Sequence, residues 1–185
     1  MAGATATSHC LELEDFDALV RSEQRRVYRF LLAMVRDPDA ADSLTQECFL
    51  RAHRHRSRFR GDCSARTWLL RIAVNLARDH GKNRRMQFWR KLFEHRDSDD
   101  RMPVAVDPQA SPERALLARE KVAAVRAAVD QLPGRQRTIF ILRFFEELTI
   151  EEIAETTSLQ TGTVKTHLFR AIRTVREHVR GQEAS

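Results

Sequence analysis

With 185 residues, 42% of them hydrophobic, the chain can bury either one globular core or two small ones. A net charge of +6 and a pI near 9.9 suit a polyanionic partner, nucleic acid first, although charge alone says nothing of fold. No run approaches the roughly 18 apolar residues of a membrane span, and the start MAGATATSHCLELED has neither the basic nor the apolar region of an export signal. The expectation is a cytoplasmic protein with no direct membrane insertion.

Cys10, Cys48 and Cys63 are odd in number, widely separated and without a Cys-x-x-Cys pair, which argues against a disulfide framework. His53 and His55 lie near two of them, but the spacing is too loose for a zinc site, so no metal and no cofactor are expected. Buried or incidental thiols are the default reading.

In chain order, no segment sustains the period-two alternation of a strand, and the pattern is helical throughout: an all-α protein. A first helix is predicted over about Glu14 to Arg36, with Phe16, Leu19, Val20, Val27, Leu31 and Val35 as apolar positions before Asp37-Pro38 stops it. A second runs from about Asp39 to His55. A third, about Ser64 to His80, places Trp68, Leu69, Ile72, Ala73 and Leu76 on one side and Thr67, Arg71, Asn75 and Arg78 largely on the other. From about Gly81 to Arg114 the periodicity dissolves into the basic run GKNRRMQFWRK and then an acidic, proline-bearing stretch, which by composition is a flexible linker.

Helices resume over Glu113 to Leu132 and Gly134 to Phe145. Thr149 and Glu152 then form a capping box, so a short helix opens there with Ile150, Ile153 and Ala154 as its apolar stripe. Ser158 to Gly162 is a small polar turn, and Thr161 can cap a further helix reaching about Val179. On that last helix Val164, Leu168, Ala171, Ile172, Val175 and Val179 share one side, and Lys165, Thr166, Phe169, Arg170 and Arg173 the other. Such a helix is most often an ordinary surface helix with a solvated face. Phe169 among the cations argues otherwise, because burial in its own domain would not stabilise it there. A short helix, a small turn and a basic second helix form a helix-turn-helix, whose second helix enters a major groove.

Three stretches now coincide in order with one family. DPDAADSLTQECFLRAHRH, from Asp37, resembles the core-polymerase-binding helix of the RNA polymerase sigma factors; RFRGDCSARTWLLRIAVNLARDHGKNRR, from Arg58, is similar to their segment that recognises and opens the minus 10 element. LPGRQRTIFILRFFEELTIEEIAETTSLQTGTVKTHLFRAIRTVR, from Leu132, resembles their minus 35 reader, with its L-P-x-x-x-R, E-E-I-A and G-T-V-K signatures. The absence of a large domain between the two helical modules points to the small extracytoplasmic-function group. Ser43, Thr45 and Cys48 depart from the usual residues without removing a functional group.

The resemblance implies an N-terminal tail (1–13), region 2 (14–85), a linker (86–112), region 4 (113–181) and a C-terminal tail (182–185). It implies that Asp42, Gln46 and Glu47 dock on the clamp helices of core RNA polymerase, although periodicity alone would leave them simply solvated. For promoter DNA, it implies minus 10 recognition by Phe59, Arg60, Gly61, Arg71, Asn75, Arg78, Arg84 and Arg85, with Lys82 on phosphate, and minus 35 recognition by Lys165, Thr166, Phe169, Arg170 and Arg173. The loop from Phe59 to Ala65 would wall the pocket for an extruded base, while Trp68 belongs to the core by its place in the apolar stripe. The tether would run toward the RNA exit path, and an anti-sigma factor is the expected regulatory partner.

Three rival readings compete with this one. A stand-alone helix-turn-helix regulator explains the C-terminal part but leaves Asp37 to Arg85 without a purpose. An enzyme would need carboxylates or His/Cys residues grouped for catalysis, and no such grouping is evident, so no enzymatic activity is expected. A protein-only adaptor is disfavoured by Phe169 among cations.

Overall fold

The computed structural model describes the backbone of residues 13–91 and 112–183, and side chains over 16–82 and 122–181. Every regular element among the described residues is a helix. The order is α1 (Leu13–Val35), α2 (Pro38–His55), a 3-10 turn (Arg56–Arg58), α3 (Ala65–Lys91), α4 (Pro112–Gln131), α5 (Gly134–Phe144), α6 (Ile150–Thr157) and α7 (Thr161–Glu183). The chain divides into two compact units, Met1–Asp100 and Arg101–Ser185.

In the first unit α1, α2 and α3 pack against one another. Asp37 separates α1 from α2 by capping: its Oδ1 accepts from the Ala40 amide at 3.0 Å, and Pro38 occupies the first helical position, where no amide is needed. Arg36 takes the left-handed turn at φ 59° that lets a two-residue link reverse the chain. Phe30, Leu31, Val27, Leu69 and Leu70 are almost completely buried, each worth about 1.5–3 kcal/mol of hydrophobic stabilisation.

Two expectations for α3 are corrected. Thr67, assigned to the polar side, is only 1% exposed, because Ser64 just outside the helix accepts from its amide at 3.0 Å and hydrogen-bonds its hydroxyl at 2.8 Å. Leu70, Val74 and Ala77 join Leu69, Ala73 and Leu76 in the core, so the buried band is shifted and Trp68 and Ile72 lie half-buried at its edge. α3 also runs on through Lys91, past the 85/86 boundary and into the stretch read as linker. Arg, Lys, Gln and Met are good helix formers, cations are favoured near a helix C-terminus, and after Gly81 nothing in KNRRMQFWRK breaks a helix. The remainder of the expected linker, residues 92–111, lies outside the described residues, as do Cys10 and the N-terminal tail.

In the second unit α7 packs against α4, α5 and α6. The L-P-x-x-x-R signature has a structural explanation. The Arg137 guanidinium donates to three carbonyls at the end of α4, Asp130 at 2.9 Å, Leu132 at 3.0 Å and Val129 at 3.3 Å, while Pro133 stands at the cap position of α5. One planar fork thus satisfies acceptors that the helix end leaves open. Arg143 likewise donates to the Leu148 carbonyl at 2.9 Å, pinning the link to α6.

Cys48 is buried between α2 and α3, with its Sγ 3.7 Å from the Leu69 carbonyl, and burial pushes its thiol up to about 12 from the model-compound value of 9.0. Cys63 is half-buried.

Two outcomes follow from these contacts. Arg137→Ala is expected to lower the stability of the second unit by about 1.5–3 kcal/mol, and Arg137→Lys to restore little, since an ammonium cannot serve three carbonyls as a fork does. Hydrogen exchange of the α5 amides measures this, and a loss below about 0.5 kcal/mol would show that the fork holds nothing. The raised Cys48 pKa means that the folded state favours the neutral thiol, so its contribution to stability is complete below pH 9.0 and is lost as pH climbs toward about 12. Alkylation mapped by mass spectrometry at pH 8 should therefore leave Cys48 unmodified until the protein is unfolded; rapid labelling of the native protein is the contrary result.

Candidate nucleic-acid and polymerase interfaces

The C-terminal site is built on α6 and α7. Thr149 and Glu152 close the capping box in both directions: the Glu152 amide donates to Thr149 Oγ1 at 3.2 Å, and the Thr149 amide to Glu152 Oε2 at 2.8 Å. α6 ends with Ser158 left-handed at φ 56°, and the amides of Ser158 and Leu159 donate back to the carbonyls of Glu155 and Ala154 at 3.3 and 3.0 Å. This paired closure turns the chain sharply into α7. α7 begins at Thr161 itself, one residue earlier than a cap there would allow, with the Val164 amide donating to the Gln160 carbonyl at 3.0 Å.

Val164, Ala171 and Val175 are buried, and Leu168, Ile172 and Val179 half-buried, as the periodicity requires. Lys165, Thr166, Phe169, Arg170 and Arg173 are all exposed, Phe169 at 69%. Lys165 and Arg173 are separated by about 12 Å along the axis. That matches the roughly 12 Å width of a major groove. The Thr166 hydroxyl donates to the Gly162 carbonyl at 2.9 Å, leaving its oxygen free to accept, and Arg173 lies 3.4 Å from Glu177. Both residues of that pair are largely exposed, so the pair is weak and exchangeable for phosphate.

In the first unit, the loop before α3 is held at both ends. Phe59 packs against Trp68 with ring centroids 5.3 Å apart, and Ser64 caps α3, so Arg60, Gly61 and Asp62 are left exposed between fixed points. Gly61 has φ 76°, a conformation that disfavours any side chain although the space around it is open. On α3, Arg71 and Asn75 are half-buried and Arg78 is exposed. Asn75 Oδ1 accepts from Arg78 Nη2 at 2.8 Å, which orients the carboxamide and leaves its amino group free to donate. Arg78 and Lys82 each stand 3.9 Å from Asp79. Arg84 and Arg85 lie further along α3, where only the backbone is described.

On α2 the three polymerase candidates do not act alike. Asp42 and Gln46 are exposed and joined, Gln46 Nε2 donating to Asp42 Oδ2 at 2.9 Å. Glu47 sits to one side, half-buried and bound to Arg51 at 2.6 Å. The line through Asp42 and Gln46 continues to Leu50, exposed at 52%. Leu50 was missed in the sequence, where an apolar residue at that spacing reads as core; its place four residues beyond Gln46 was the available signal.

Among the described residues no three His, Cys, Asp or Glu side chains are grouped to hold a metal ion, and no helix is long and apolar enough to cross a membrane.

Comparison with known proteins matches these two halves separately. Sigma-70 region 2 matches residues 19–86, and Sigma-70, region 4 matches residues 123–175. The RNA polymerase sigma-H factor of Pseudomonas aeruginosa is 37% identical over 158 residues, covering 84% of this chain and 81% of that one. The ECF RNA polymerase sigma factor SigX of Bacillus subtilis is 32% identical over 168 residues, covering 90% and 84%. Among solved structures, the sigma factor RpoE from Bartonella quintana, in complex with the anti-sigma factor NepR, superposes with a TM-score of 0.73 at 18% identity over 91% of this chain and 98% of that one, a likeness of fold. Both regions in order, and relatives alike over most of their length, place this chain in the RNA polymerase sigma factor family, among the extracytoplasmic-function members.

Proposed function

We propose that this protein is the promoter-specificity subunit of a bacterial RNA polymerase, binding the core enzyme, recognising the minus 35 and minus 10 elements and helping to melt the DNA. The observation that carries this is the exposed row Lys165, Thr166, Phe169, Arg170 on a helix-turn-helix, in a chain whose other half matches region 2. In this reading Lys165, Arg170 and Thr166 meet base edges and phosphates, Phe169 packs on a thymine methyl, and Arg173 gives up Glu177 for a phosphate.

Region 2, over 14–85 and extended by the rest of α3, supplies the remainder. A base drawn from the duplex costs a few kcal/mol in lost stacking, which a fixed loop and cationic contacts must offset. Phe59, Arg60 and Gly61 form that loop, Asn75 donates to a base, and Arg71, Arg78, Lys82, Arg84 and Arg85 hold phosphates. Asp42 and Gln46 dock on the core enzyme, and Glu47 steadies that face through Arg51. The protein acts where polymerase and chromosome are, in the cytoplasm, and it directs a reaction that the polymerase catalyses. Control by an anti-sigma factor fits this reading, since the structural neighbour RpoE was solved in complex with the anti-sigma factor NepR.

Run-off transcription from a promoter pool, with core polymerase alone and with this protein added, tests the proposal. Initiation from a shared two-part motif only in its presence is expected. Specific duplex binding without initiation would leave a stand-alone regulator. Arg170→Ala is expected to weaken use of the minus 35 element by about 1–3 kcal/mol, selectively for one base position; an equal loss on every sequence would reassign it to phosphate.

A further inference from the structure

The stretch from Arg51 to Arg60, RAHRHRSRFR, holds five arginines, two histidines and no acid. It closes α2, passes through the 3-10 turn Arg56–Arg58 and enters the loop of Phe59, Arg60 and Gly61. Two of its cations already have a task. Arg51 is bound to Glu47 at 2.6 Å, and Arg56 Nη1 donates to the His53 carbonyl at 2.8 Å, meeting an acceptor that the end of α2 leaves open. Arg54 and Arg58 do neither. Both are exposed, and among the described residues no carboxylate stands beside either. The negative end of the α2 dipole accounts at most for Arg54, in the last turn, because that effect fades beyond it. Two neighbouring cations without a counter-charge are unfavourable in the free protein and suit an external anion.

The rest of the stretch decides which anion. Its apolar residues are Ala52, which is buried, and Phe59, which is half-buried and packed on Trp68, so the surface offers cations with neither an apolar anchor nor a stacking platform. That suits a chain of phosphates better than a protein helix or a row of bases. Position says which phosphates. The Phe59 amide donates to the Arg56 carbonyl at 3.1 Å, so the cationic turn is continuous with the loop proposed to hold an extruded base. Arg54 and Arg58 stand four residues apart, about 6–8 Å along the chain axis. They precede that loop, whereas Arg71, Asn75 and Arg78 follow it on α3. A strand that gives up a base to the loop runs on past it in both directions. We infer that Arg54 and Arg58 bind backbone phosphates of the melted strand beside the held base, a contact blind to sequence that adds to the cations of α3. This rests on the reading that the first unit holds the minus 10 element, and it extends that surface back to the end of α2.

The test is equilibrium binding of preformed holoenzyme, core polymerase saturated with the full chain, to a labelled non-template strand from a promoter found by the run-off assay. The strand is cut to the minus 10 element alone or extended by about six nucleotides at either end. Arg54→Ala and Arg58→Ala, each alone, are expected to raise Kd about fivefold for an extended strand and less than about twofold for the element alone. Each should also flatten the fall of log K with log salt by about 0.7 on the extended strand, the share of one phosphate. Making the added nucleotides abasic is expected to leave those differences in place, and Arg54→Lys or Arg58→Lys to keep most of the affinity. Arg29→Ala, the same charge loss at an exposed position of α1, is expected to change Kd less than about twofold. An equal loss from Arg29→Ala would mean a long-range field, and dependence on the added bases would mean base readout; either overturns the inference, as do an equal loss on all strands and an unchanged salt slope. Weaker binding of the variants to core would assign both arginines to polymerase and overturn it too. Failure of the unaltered holoenzyme to bind any of the strands would instead sink the underlying reading.

Discussion

The second unit depends on how α7 is seated. Burying Val164, Ala171 and Val175 against α4, α5 and α6 fixes the rotation of the helix about its axis, and rotation leaves Lys165, Thr166, Phe169 and Arg170 no direction but outward. The reading face is therefore a by-product of core packing, rigid to the extent that the core is rigid. The Arg137 fork and the closed end of α6 hold the neighbours on which α7 rests. Signatures that look like contact residues thus act at a distance, by setting the frame for the side chains proposed to make contact.

The first unit solves a different problem. In the proposed function a melted strand is met by a loop as well as by a helix face, and a loop is precise only if both ends are fixed. Phe59 on Trp68 and Ser64 on Thr67 fix them, and the φ of 76° at Gly61 turns the backbone between. Trp68 therefore belongs neither wholly to the core nor to DNA: half-buried, it is the platform on which the loop is anchored.

This division explains what could be read from sequence. Helix existence, the break at Asp37-Pro38, the capping box at Thr149 and both faces of α7 follow from local chemistry, and each was legible. The side of α3 was not, because a helix packed against two others buries a wide band and its apolar residues no longer mark one stripe; Leu70 and Val74 count as much as Leu69. The polar look of Thr67 misled for a related reason, since its hydroxyl is satisfied by Ser64 inside the fold. The run after Gly81 read as linker by its charge, yet charge does not oppose a helix when the residues carrying it favour one. The exposure of Leu50 was legible only as its spacing from Gln46, because exposure is a tertiary property, set by which helices α2 meets.

The exposed apolar residues also bear on how binding is organised. Phe169 at 69% and Leu50 at 52% stand among polar or charged neighbours on their own helices, and each can contribute about 1.5–3 kcal/mol when a partner covers it. Charges around such a residue steer the encounter and set its register, while the apolar contact adds affinity only after close fit. No one patch of this size makes a tight complex against the cost of association. Several patches on two units in one chain do so when engaged together, because each contact made raises the effective concentration for the next. On the proposed function, a factor built this way is expected to be held weakly by promoter DNA alone and firmly only where polymerase and both promoter elements are offered at once, so that selectivity arises from the requirement that they coincide.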